Sequence, residues 1–181
     1  MNREEAVTLV WKHLPDDMMR KHVMAVEAVM RGLARHFGED ENTWGMAGLL
    51  HDLDYEMTRD DPDRHGRLSG EMLREIGIDS VIVNAVMAHA DKCPRDSLIN
   101  KCIYAADPVT GLVTAAALIR PEKKLEFVEL KSLKKRFKEK RFAVGADRDR
   151  ISAIEQAGIS LDKFLEIALE SMKPIAADLG L

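Results

Sequence analysis

The chain has 181 residues, 46% of them hydrophobic and 32% charged, with a formal net charge of −4. That length allows a sizeable core within one domain, and the composition is that of an ordinary globular protein. No apolar stretch approaches the roughly 20 residues needed to cross a bilayer, which argues against a membrane partner. The N-terminus carries no secretory pattern, and the negative balance argues against a long polyanion as partner.

The hydrophobic pattern reads as helix throughout. Pro15 and Asp16 open a helix that runs to about Phe37 and stops at Gly38; His22, Val26, Met30, Leu33 and Phe37 share its apolar face. Thr43 is the expected cap of the next helix, which carries Ala47 and Leu50 and ends near His51-Asp52. The polar stretch 54–63 reads as a loop. A helix is expected from about Arg64 to Ile76, with His65 and Ser69 on one face and Gly77 as its stop. Ser80 caps a helix through His89, and Ser97 caps one expected to end at Asp107, because Pro108 disfavours helical geometry before it. A buried helix from Val109 to Ile119, a basic helix over 131–141 capped by Ser132, and helices at Arg148–Gln156 and Ser160–Met172 complete the series. The expectation is an all-α domain: a core over 1–120 and C-terminal helices over 121–181 packed on it. Cys93 and Cys102 form no CxxC pair and read as reduced thiols in a cytoplasmic protein.

Chemistry concentrates in five places, in the order His22, His51-Asp52, His65, His89 and Asp107. Imidazole and carboxylate together suit Mn, Fe, Co, Ni or Zn. A lone histidine on an apolar helix face is usually a satisfied core residue. Here several such faces carry one, beside an HD pair and a pre-proline aspartate. A shared metal centre would satisfy them together, where separate burial would require a partner for each. His13 and His36 do not fit the set. Adjacent helical residues point about 100° apart, so His51 and Asp52 can share a cavity only near a helix end. Asp52 has two oxygens and can bridge two ions.

The stretches KHVMAVEAVM, WGMAGLLHDLDYE, RHGRLSGEMLREIG, VNAVMAHAD and YAADPVTGL, over about residues 15 to 120, resemble the HD-domain metal-dependent phosphohydrolases, and more narrowly the HDIG type. The tail RFKEKRFAVGADRDRI is similar to the C-terminal part of small bacterial members. The resemblance implies a helical bundle with the metal site in its core. His22, His51, Asp52 and Asp107 would hold a first divalent transition metal, and His65 and His89 a second, bridged by Asp52. A metal-activated water would then cleave a small phosphate ester, a nucleotide or other phosphorylated metabolite. The chain lacks the lysine after HD and the GYP motif of the cyclic-dinucleotide phosphodiesterases. Asp54 and Glu56 therefore become the candidates for delivering a proton to the leaving group.

The basic helix reads first as a solvated face. Its sharper reading is a rim that draws a compact anion, with Lys134, Arg136 and Lys138 as substrate contacts and Arg148 as a phosphate contact. A nucleic-acid polymer is not expected as partner, on net charge and few aromatic residues. The alternative to an enzyme is a non-catalytic signalling or scaffold domain that keeps a metal for folding.

Overall fold

The computed structural model describes residues 1–181, all helix, turn and loop with no strand. Helix α1 (Arg3–His13) is not marked by apolar periodicity in the sequence. It is nucleated by a capping box in which Asn2 accepts from the Glu5 amide and Glu5 accepts from the Asn2 amide. Asp16 caps α2 (Asp17–Phe37) through the amides of Met18 and Met19, and Gly38 ends it at φ 72°. Helix α3 (Glu41–Leu50) is capped by Asp40, which accepts from the Thr43 amide at 2.7 Å, so the cap lies three residues before the expected one.

Helices α2 and α3 approach closely because Gly48 has no side chain. A Cβ there would meet the backbone of Val26 and Glu27 at 2.9 Å. This close crossing brings His22 and His51 together. Behind it, the carboxylate of Glu27, 3% exposed, is held by Arg3 at 2.7 and 2.9 Å and by Arg31 at 3.0 Å. Paired on both sides in this way, a buried charge becomes tolerable.

The expected loop after Asp52 contains a single turn, α4 (Tyr55–Thr58). Helix α5 (Arg67–Glu75) starts later than expected, so His65 lies in the turn before it and not on its face. Asp79, one residue ahead of the expected Ser80, caps α6 (Ser80–His89). The largest departure is α7 (Leu98–Leu118), which runs unbroken through Pro108. An interior proline costs a helix about 3 kcal/mol. Both halves of α7 are buried, however, with Ile103, Ala106, Val109 and Leu112 fully covered, and packing holds them in line. Asp107 therefore sits in mid-helix.

The rest of the chain carries α8 (Leu130–Lys138), α9 (Arg148–Ser152), α10 (Leu161–Met172) and α11 (Ala176–Leu179). Ser132 lies inside α8, whose cap position is Glu129; Ser160 caps α10 as expected. Helix α2 packs on α3, α7 and α10, and α7 on α6, α8 and α9. One buried apolar cluster runs from Ala6 to Leu179, so the C-terminal helices share the core of the first 120 residues. No helix is long and apolar enough to cross a membrane.

Candidate metal centre

Asp52, 6% exposed just past the end of α3, is the hub of a buried polar cluster. Its Oδ2 lies 3.2 Å from His51 Nε2 and 3.5 Å from His22 Nε2, and Asp107 Oδ1 lies 3.3 Å from His22 Nε2. Its Oδ1 lies 3.3 Å from His65 Nε2 and 3.4 Å from His89 Nε2. Two lobes thus meet at one carboxylate, one oxygen facing each. The ligand atoms of His22, His51 and Asp107 all lie within 4.8 Å of one another, as do those of His51, Asp52 and His89.

The outer ring nitrogens explain why Nε2 points inward on each of the four clustered histidines. His51 Nδ1–H donates to the Gly48 carbonyl at 2.8 Å, and His89 Nδ1–H donates to the Val86 carbonyl. His65 Nδ1–H donates to Asp54 Oδ1 at 2.9 Å. The Thr110 hydroxyl donates to the Asp107 carbonyl at 2.9 Å and so can accept from His22 Nδ1–H at 3.3 Å. Each imidazole spends its proton outward and turns a lone pair inward. The inward pairs crowd together, with Nε2 of His22 and His51 3.2 Å apart and Nε2 of His65 and His89 3.0 Å apart. Converging Nε2 atoms and carboxylates, with each Nδ1 proton already committed outward, require added positive charge, from metal ions or from further protons. The residues therefore fit one or two divalent metal ions.

Protonation shows the same demand. Burial works against charge on His22, but the hydrogen bonds and charges of Asp107 and Asp52 outweigh it and lift its pKa to about 10. On His65, burial is likewise outweighed by Asp52 and Asp54, and the pKa again reaches about 10. Burial prevails on His89 and lowers it. Asp52 and Asp107 stay ionised well below the usual carboxylate range, because their histidine partners overcome the penalty of burial. Without metal, protons on His22 and His65 supply the charge that ions would otherwise supply.

Asp54 is not placed as a proton donor to substrate. It is fully buried, and its carboxylate accepts from His65, the Gly66 amide at 2.8 Å and the Ser69 amide at 2.9 Å. Its work is to build the 54–69 turn and aim His65. Gly66 completes that turn at φ 76°, a conformation that glycine adopts without strain. Glu56 makes none of the cluster's contacts and pairs with Arg59, three residues on, at 2.9 Å. His13 and His36 fall in the last turns of α1 and α2 and make none of the cluster's contacts.

The basic residues divide. Lys134 pairs with Asp162 at 2.5 Å and Arg136 with Glu139 at 2.7 Å, whereas Lys131, Lys135 and Lys138 are exposed and unpaired. The Arg148 guanidinium donates to the carbonyls of Arg136, Phe137, Phe142, Ala143 and Ala146, so its donors are consumed in folding the 136–146 segment. That overturns its reading as a phosphate contact. The arginine that does reach the centre is Arg150, whose Nη2 lies 2.9 Å from Asp107 Oδ2 and 2.8 Å from the His89 carbonyl. Nothing in the spacing of RDR separates one arginine from the other.

The profile of the HD domain family matches residues 19–112. The chain is 26% identical over 161 residues to Ribonuclease Y of Lactobacillus helveticus, covering 87% of this chain and 30% of that protein. It is 28% identical over 131 residues to Ribonuclease Y of Sulfurovum, covering 71% and 26%. Ribonuclease Y of Opitutus terrae is 24% identical over 161 residues, covering 87% and 31%. The chain thus spans less than a third of the length of these relatives. No solved structure matches. That these relatives are named ribonucleases overturns the expectation that a nucleic-acid polymer is not a partner. That expectation rested on net charge, which averages over the chain and does not describe the field at a site.

Proposed function

This chain belongs to the HD-domain family, and from that premise we propose that it is a metal-dependent phosphohydrolase acting on phosphodiesters, with RNA the substrate class to test first. The narrower expectation of a small phosphate ester gives way to a diester because the relatives are named ribonucleases. The observation that carries the reading is the convergence of imidazole Nε2 atoms on the two oxygens of Asp52, each with Nδ1 committed outward. His22, His51, Asp52 and Asp107 would hold one divalent ion; His65, His89 and Asp52 would hold the other.

Bound divalent ions at such a centre supply Lewis acidity toward phosphoryl oxygens and an activated water near neutral pH. The chain's own residues contribute orientation. Gly48, Val86, Thr110 and Asp54 hold the rings in the tautomer that presents a lone pair. His51 and His89, both buried, keep bulk water from the inner wall of the site.

The test is metal analysis followed by turnover of bis(p-nitrophenyl) phosphate and a fluorescent oligoribonucleotide, with Asp52→Ala as control. The expected result is one or two transition-metal ions per chain and hydrolysis that disappears in the variant. Full metal content with no turnover of either substrate would favour the scaffold alternative, and folded protein that takes up no metal would refute both readings.

A further inference from the structure

Arg150 lies outside the HD match, in the short helix α9, yet its guanidinium touches the metal centre. Arginine and lysine are otherwise absent from the partners of Asp52 and Asp107. Such a cation competes with a metal for Asp107, so it weakens a site that serves only to bind metal. Its presence makes sense where the centre must also receive an anion. Two carboxylates set against divalent ions and a guanidinium leave the site net positive.

The guanidinium is also only half used. Nη2 reaches both Asp107 and the His89 carbonyl, Nε–H is shielded from solvent without an acceptor, and Nη1 is unshielded with no partner in the protein. Buried or half-buried donors normally find acceptors. The plane of the group is held from one side by Tyr104, 4.5 Å from its ring, and Arg95 covers that ring at 3.8 Å. Tyr104 stands one turn before Asp107 on α7, so the stack and the metal ligand share one rigid element. The folding of 136–146 around Arg148 sets the start of α9, two residues before Arg150. The C-terminal segment is thereby organised to deliver one guanidinium to the centre.

We propose that Arg150 is the substrate-phosphate contact: Nη2 braces Asp107 while the unpaired Nη1 donates to a non-bridging phosphoryl oxygen. Arginine suits this task because its planar fork can hold a carboxylate and a phosphate at once. The proposal rests on the phosphohydrolase reading for its substrate, but its test does not depend on turnover.

Metal-loaded wild-type, Arg150→Gln and Arg150→Lys proteins are compared for metal content by elemental analysis, for inorganic phosphate affinity by calorimetry, and for kcat and KM on bis(p-nitrophenyl) phosphate. Expected are equal metal content, phosphate binding at least about tenfold weaker in Arg150→Gln, and partial recovery in Arg150→Lys, as for loss of one charge-assisted hydrogen bond. Where turnover is measurable, KM rises more than kcat falls. Unchanged phosphate affinity in Arg150→Gln overturns the proposal. Lost metal in both variants also overturns it and makes Arg150 a positioning residue for Asp107. Should Arg150→Gln fail to fold, Arg150→Lys decides alone: affinity equal to wild type sinks the proposal, and a severalfold loss with full metal supports it. A wild type that binds phosphate through Arg150 but hydrolyses no phosphodiester leaves this inference standing and removes the proposed function instead.

Discussion

The two lobes around Asp52 are built differently. On the Oδ2 side, His22 and Asp107 come from within the two 21-residue helices α2 and α7, and His51 from the end of α3 where Gly48 presses it onto α2. On the Oδ1 side, His89 ends α6, but His65 stands on a turn that exists because Asp54 ties it together. One lobe is a consequence of helix packing and comes with the core. The other depends on a single buried carboxylate, and a ligand on a turn is less well held than one on a helix. The Oδ2 lobe should therefore bind its ion more tightly and keep it longer.

Asp52→Ala breaks both lobes and should have the largest effect: no metal by elemental analysis and no turnover, with helical content by circular dichroism retained. Asp54→Ala comes next and separates the lobes. It leaves two buried amides unpaired, at about 1–3 kcal/mol each, and frees His65. The expected result is a lower melting temperature and loss of one ion while the other stays. Loss of both ions together would show that the lobes are not independent. His65→Ala and His89→Ala should release the same ion with a smaller fall in stability.

Proton competition sharpens the comparison, since each lobe has one imidazole lifted to about 10, His22 in one and His65 in the other. Metal must displace those protons, so its apparent affinity should fall by about one decade per pH unit per imidazole between pH 9 and 7, and calorimetry in buffers of different ionisation enthalpy should register proton release. The metal-free protein behaves oppositely. A histidine pKa raised above its unfolded value stabilises fully below about 6.5, and that contribution is lost as pH rises through about 10. The melting temperature of the metal-free form should therefore drop between pH 7 and 10, and that of the metal-loaded form should not.

Thr110→Val keeps the volume but removes the acceptor for His22 Nδ1, and should weaken the Oδ2 ion by about tenfold, measured by competition with a chelating dye. The smallest effect is expected at the exposed α8 lysines. Replacing Lys131, Lys135 and Lys138 by alanine should raise KM for an oligoribonucleotide severalfold with kcat unchanged, and should flatten its dependence on salt. Unchanged KM and salt slope would leave α8 as a solvated face.

The helices and the order of candidate ligands were legible along the chain because both are local: apolar spacing marks a face, and residue type marks a donor. Even so, the histidines could be listed but not sorted into lobes by spacing alone. The continuation of α7 through Pro108 runs against its local sequence signal, because local geometry disfavours it and only the burial of both halves outweighs that preference. Asp54 looked like an acid near the chemistry; its distance in sequence from Gly66 and Ser69 concealed the turn it supports.

An all-helical chain and its set of imidazoles and carboxylates follow from residue order, since helix periodicity and side-chain chemistry need no distant partner. Packing in three dimensions sets which ring nitrogen faces inward, which oxygen of Asp52 faces which lobe, and that Arg150 rather than Arg148 reaches the centre. Those outcomes depend on hydrogen bonds between residues up to 88 positions apart, as between His22 and Thr110, and such bonds form only once packing has brought their helices together.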